Sequence, residues 1–175
     1  MEDLSLPLDA FVRAVGVDHE VPHAMLLGAG ASVSSAIPSA WQCIWEWKRK
    51  IFLTNNPGLE KQFSELTLLS VQRGIQDWLD KQGGYPALDS HEEYCFYIEE
   101  CFPIGQHRRQ FFADMIRNAK PHHGYKLLSL LAEAGIVTSC WTTNFDGLVA
   151  KAGGDYDITP IEVGMDCQPR AFRQP

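Results

Sequence analysis

The sequence predicts an α/β fold of Rossmann-like type: a parallel sheet with flanking helices and a helical insertion. Three observations carry this expectation. The apolar run Ala24-Met25-Leu26-Leu27 stops at Gly28 and gives way to a helical pattern, the order strand, glycine turn, helix that opens a nucleotide-binding α/β unit. A second run, Ile136-Val137-Thr138-Ser139-Cys140-Trp141, is β-branched and mostly apolar, which suits another central strand. Between them, residues 54–120 carry turn signals and helix-like stretches but no strand pattern.

Each element has its own signature. Leu8, Phe11, Val12 and Val15 stand at i, i+3, i+4 and i+7, one apolar stripe of a short helix that Gly16 is expected to end. The strand at 24–27 follows Pro22 and has the length and flanks of a strand buried on both faces. After Gly30 a loop leads to a helix containing Trp41, Ile44, Trp45, Lys48 and Phe52. Asn55-Asn56-Pro57-Gly58 and Gly83-Gly84-Tyr85-Pro86 break the insertion over 54–120. Beyond Pro121, the residues Leu127, Leu128, Leu131 and Ala134 trace another helical stripe, with Gly135 placed to cap it. The second strand then delivers Thr142, Thr143, Asn144, Phe145 and Asp146 to its C-terminal end. A short helix over 147–152 and a strand near Ile161-Glu162-Val163 follow, and Gln168 to Pro175 reads as a polar tail.

Composition bounds the function classes. A chain of 175 residues with 45% hydrophobic content buries roughly two thirds of the surface its unfolded form exposes, so one globular domain is expected. The net charge of −7 argues against direct nucleic-acid binding or an anionic lipid surface, and Lys48-Arg49-Lys50 and Arg108-Arg109 read as solvated helix faces. The acidic start Met1-Glu2-Asp3-Leu4 is unlike a secretory signal, and no run approaches the about 18 apolar residues that span a bilayer. A cytoplasmic protein without a membrane partner is expected. Cys43, Cys95, Cys101, Cys140 and Cys167 include no C-x-x-C pair, which reads as buried free thiols, with neither a disulfide framework nor a bound metal.

The chemistry concentrates at the first glycine turn. Two phosphates are held when a strand ends at glycines, so that backbone N–H groups and the positive end of the next helix face them. Gly28 and Gly30 let the main chain approach, and Ser32 offers a hydroxyl donor. Val33 stands where G-x-G-x-x-G requires its third glycine, and no acidic residue follows about 20 positions on, so an ordinary Rossmann dehydrogenase is not expected. No G-K-[ST] follows either, which excludes the phosphate loop of ATPases.

Gly28-Ala29-Gly30-Ala31-Ser32, then Ala36-Ile37-Pro38-Ser39-Ala40-Trp41, and much later Trp141-Thr142-Thr143-Asn144-Phe145-Asp146, together resemble the sirtuin family, with Pro121-His122-His123 leading the helix before the last motif. Pro-Ser-Ala-Trp and Thr-Thr-Asn look most like the variants found in bacterial sirtuin-like NAD hydrolases of anti-phage defence. The likeness spans about residues 24–153 and is specific in its motif segments. It implies NAD as the substrate, with Gly28, Ala29, Gly30 and Ser32 lining the phosphates, Ile37 and Pro38 on the nicotinamide side, and Trp41 also among the NAD-binding residues. Thr143 stands for the family's glutamine near the ribose, Asn144 is the catalytic asparagine that orients ribose and water, and Asp146 holds the carboxamide. Ala36 replaces the glycine usual before Ile-Pro, which is expected to reshape that loop.

The resemblance also implies a catalytic histidine in a His-Gly pair after the asparagine motif, acting as general base. The six histidines, His19, His23, His91, His107, His122 and His123, all precede Asn144. The expectation is therefore a single sirtuin-like domain over 1–175, incomplete at its C-terminal end, whose base comes from a longer chain. Three functions stay open: an NAD hydrolase of a defence system, acting with a partner protein or domain or as a homo-oligomer; a non-catalytic NAD or ADP-ribose binding or assembly module; and an NAD-dependent deacylase, for which no four-cysteine zinc module is visible.

Overall fold

The computed structural model of the chain describes residues 7–17, 21–154, 156, 161–163 and 169–171. It is mixed α/β and divides into two compact units, residues 1–35 with 119–175, and residues 36–118.

The first unit holds the sheet. Strand β1, His23–Leu27, pairs in parallel with β2, Val137–Thr142, with Leu26 beside Trp141 and Leu27 beside Thr142. Ahead of β1 lies helix α1, Leu8–Val17, which runs past Gly16. After β1 comes a 3₁₀ segment, Ala29–Ser35, in place of the expected loop. Helix α6, His123–Glu133, precedes β2, packs on it and on α7, Leu148–Gly153. Its end is fixed by Gly135, whose φ of 74° opens the left-handed region and lets the Gly135 N–H donate to the Ala132 carbonyl and the Ile136 N–H to the Leu131 carbonyl. That paired closure satisfies carbonyls the helix leaves open. Two further strands, β3, Ile161–Val163, and β4, Pro169–Ala171, pair antiparallel, so part of the expected polar tail is strand.

Burial departs from the sequence expectation here. Within the first unit, β1 alternates half-buried and exposed residues and is not covered on both faces: Leu26 is 79% exposed and Trp141, its neighbour across the sheet, 60%. The α1 stripe is also turned outward at Leu8, Phe11 and Val12. On α6 the buried positions are Tyr125 and Ser129, while Leu127 and Ala134 are exposed. Periodicity located these elements correctly but gave no information about what lies on each face.

The second unit is helical, with no strand among its residues. It comprises α2, Ala40–Asn55, α3, Leu69–Gln82, α4, Glu93–Cys101, and α5, Gly105–Arg117. Helix α2 starts at a capping box: the Ser39 hydroxyl accepts from the Gln42 N–H at 3.2 Å while the Gln42 side chain accepts from the Ser39 N–H at 2.7 Å. At the other end Thr54, Asn55 and Asn56 donate back to the carbonyls of Lys50, Ile51 and Phe52. Helices α3 and α4 pack on α2, and the apolar core gathers Trp45, Trp47, Phe52, Ile75, Leu79 and Tyr97.

At the centre of that core sits Lys48, which the sequence reading placed on a solvated basic face. It is fully buried, ion-paired with buried Glu93 and donating to Gln76 Oε1 at 2.9 Å. Its ammonium lies 4.6 Å from the Trp45 ring centre and 5.2 Å from that of Tyr97. Glu93 also accepts the Asp89 N–H. A buried charge is tolerated when it is paired and its remaining protons are bonded. Arg49, next along, is half-buried and donates to the Ser64 carbonyl.

Ala36 adopts φ of 64°, the left-handed region that a glycine enters freely. The loop before Ile37-Pro38 therefore keeps a glycine-like backbone despite the alanine, at a cost in strain.

Two stability predictions follow from these features. Ala36→Gly raises stability by about 1 kcal/mol in urea denaturation, because the strain is relieved. Lys48→Met alone lowers stability by about 3–5 kcal/mol, since Glu93 is left buried and unpaired. Adding Glu93→Leu to Lys48→Met restores most of that loss in the same assay, and a double variant as unstable as the single would show that the charges themselves are required.

Candidate functional site

The sheet unit brings the two sequence motifs together. The glycine turn leaves the C-terminal end of β1 and the Asn144 segment leaves the C-terminal end of β2. Because the strands are parallel and in register to Leu27 and Thr142, both loops emerge on the same side. Ligands of open parallel sheets bind at this end.

Asn144 ties the loops. Its amide donates to the Gly28 carbonyl at 2.9 Å and to Ser32 Oγ at 3.1 Å. Its own N–H donates to Thr142 Oγ1 at 3.0 Å, which bends the chain just past the strand. The Gly28 carbonyl also accepts from the Ala31 N–H at 3.1 Å, so both of its lone pairs are used.

Asp146 lies one step further and is buried. Its Oδ1 accepts from the Leu148 N–H at 2.9 Å, a side-chain turn that starts α7, and its Oδ2 accepts the Ser32 hydroxyl proton. Ser32 is 2% exposed, and its oxygen lies 2.9 Å from the Tyr125 hydroxyl as well. Burial pushes the Tyr125 phenol above its ordinary range, with the Ser32 hydroxyl opposing that rise, so Tyr125 remains a neutral O–H group at physiological pH. Ser35, also buried, accepts the His122 N–H at 3.1 Å and ties the 3₁₀ segment to the start of α6.

Tyr125 is the member of this cluster that the sequence reading missed. It stands three residues after His122, in register with the buried Ser129 on α6. The signal was present in the α6 pattern, because the stripe built on Leu127 and Leu128 left a tyrosine one turn from Ser129 without a role.

Gly28, Ala29 and Gly30 are exposed. A methyl group placed at Gly28 or Gly30 meets nothing within 4 Å, and neither glycine has the positive φ that demands glycine. Neither backbone strain nor packing among the described residues accounts for these two glycines. What their lack of side chains leaves open is space at the surface of the turn.

Thr143 is exposed. Ile37, Pro38 and Trp41 belong to the helical unit; Ile37 is buried, and Trp41 is 49% exposed with its ring edge-on to Trp45 at 6.2 Å. Pro38 lines a groove of about 1080 Å³ in that unit, together with Cys43, Trp47, Lys50, Phe102 and Phe111. His122 and His123 are exposed and contact each other edge-on. His19 lies outside the described residues.

Burial raises the Cys43, Cys101 and Cys140 thiols above their ordinary range, which keeps them protonated. Cys95 is exposed, unlike the buried thiol expected, and Cys167 lies outside the described residues. Among the described residues no group of His, Cys, Asp and Glu could hold a metal ion, and no helix is long and apolar enough to cross a membrane.

No protein-family model matches the chain, and no curated protein matches it.

Proposed function

We propose that the sheet unit carries an NAD site and that the protein is an NAD hydrolase of sirtuin-like type, breaking the nicotinamide–ribose bond in a bacterial anti-phage defence system. The observation that carries this reading is the link from Asn144 to the Gly28 carbonyl, which joins the glycine turn and the asparagine loop at one end of a parallel sheet.

The arrangement suits the chemistry. The exposed Gly28-Ala29-Gly30 turn leaves room for a pyrophosphate against its backbone N–H groups. When the C–N bond breaks, nicotinamide leaves with the electron pair and positive charge develops on the ribose. Water then forms the new C–O bond and gives up a proton. Asn144 has spent its amide hydrogens inward, and the acceptor it retains, Oδ1, is suited to a ribose hydroxyl or the incoming water.

The second reading is a module that binds NAD or ADP-ribose without cleaving it. The engagement of Asp146 favours it, because a carboxylate whose oxygens accept the Leu148 N–H and the Ser32 hydroxyl proton is not free to take a proton from water.

Nicotinamide release from NAD, followed by chromatography, separates the two readings. The hydrolase reading expects release, lowered about a hundredfold in Asn144→Ala. Binding without release supports the module, and neither binding nor release overturns both. Gly30→Ala tests the turn: its stability stays within about 0.5 kcal/mol of the parent, while NAD binding weakens about tenfold. Undiminished binding in Gly30→Ala would remove the pyrophosphate from this turn.

A further inference from the structure

We infer that Asp146 and Tyr125 are positioning residues that fix the direction of the Ser32 hydroxyl and thereby turn the Asn144 carboxamide oxygen outward, so that the site selects a hydrogen-bond donor in its ligand. The NAD reading enters only in naming that donor as a ribose hydroxyl; the hydrogen-bond directions are properties of the chain itself.

Counting protons fixes the directions. A serine hydroxyl has one proton and two lone pairs, and an ionised carboxylate can only accept. Asp146 Oδ1 already takes the Leu148 N–H, so the contact between Asp146 Oδ2 and Ser32 Oγ must be made with the serine proton. Ser32 Oγ is then an acceptor toward its other two neighbours, the neutral Tyr125 O–H and the Asn144 amide. All three capacities of the oxygen are used in a residue that is 2% exposed.

This leaves Asn144 one orientation. With its NH2 inward it bonds to Ser32 Oγ and to the Gly28 carbonyl. Turned over, its oxygen would face two acceptors, and two bonds would become two repulsions. Asp146 therefore reaches the ligand through two other side chains. The group presented outward is Asn144 Oδ1.

Asp146→Asn reverses the chain of donors. Its Oδ1 must still accept the Leu148 N–H, so its NH2 faces Ser32 Oγ. The Ser32 proton is then free to point at Asn144, which favours the turned-over amide. Tyr125→Phe removes a single oxygen and leaves one Ser32 lone pair unfilled, which weakens the same arrangement to a smaller degree.

The test uses the full chain labelled with 15N, with the Asn144 side-chain NH2 signals identified by their loss in Asn144→Ala. In the parent these protons exchange slowly with water; in Asp146→Asn exchange is roughly tenfold faster, and in Tyr125→Phe it changes in the same direction. Unchanged signals in a folded Asp146→Asn chain overturn the inference, and if that variant does not fold, unchanged signals in Tyr125→Phe overturn it equally. With NAD present, the parent binds NAD about tenfold better than its deoxyribose analogues, and in Asp146→Asn this ratio falls toward one. A ratio that persists in the folded variant also overturns the inference. A parent chain that fails to bind NAD defeats the NAD reading, while the amide signals still decide the hydrogen-bond directions.

Discussion

Saturation of one buried hydroxyl organises the sheet unit. Ser32 sits on the 3₁₀ segment, Tyr125 on α6, and Asn144 and Asp146 on the chain leaving β2, and all three of the others bond to Ser32 Oγ. A buried polar atom left unpaired costs about 1–3 kcal/mol, so removing one member leaves a bonding capacity of Ser32 Oγ unfilled. The constraint fixes three chain segments with very little apolar surface. It suits a unit whose strands leave side chains such as Leu26 and Trp141 exposed.

The helical unit is held in a different way. There a continuous core of aromatic and aliphatic side chains encloses a single ion pair, and the Lys48 ammonium rests against the faces of Trp45 and Tyr97. Rings that carry negative charge on their faces lower the penalty of burying a cation. The charge in this unit lies inside a dry core, whereas the polar cluster of the sheet unit lies at the ends of two strands and leads directly to an exposed turn.

Much of this was legible in the sequence, and the failures have physical causes. The apolar run ending at Gly28, the β-branched run before Trp141, the Gly135 cap and the strand at Ile161–Val163 each carry their own local signal, and each is found. The meeting of Gly28, Ser32, Asn144 and Asp146 was legible only through motif resemblance, since pairing across more than a hundred residues leaves no trace in local periodicity. Lys48 was misread because a basic triplet on a helix looks solvated unless one knows that Glu93 returns to meet it. Tyr125 was overlooked because a tyrosine inside a leucine-rich helix passes for core.

The distribution of tryptophan has an optical consequence. Of the five tryptophans, Trp41, Trp45, Trp47 and Trp78 lie in the helical unit, and Trp141 alone lies in the sheet unit, one residue before Thr142 and three before Asn144. Trp45 and Trp47 are buried at 5% and 3% exposure, whereas Trp141 is largely open to water. The sheet unit thus carries its own fluorophore, with red-shifted emission and ready access for a soluble quencher, beside the asparagine loop. A chain with Trp141→Phe differs from the parent in that one signal, so the difference spectrum isolates the state of the loop from the emission of the helical core.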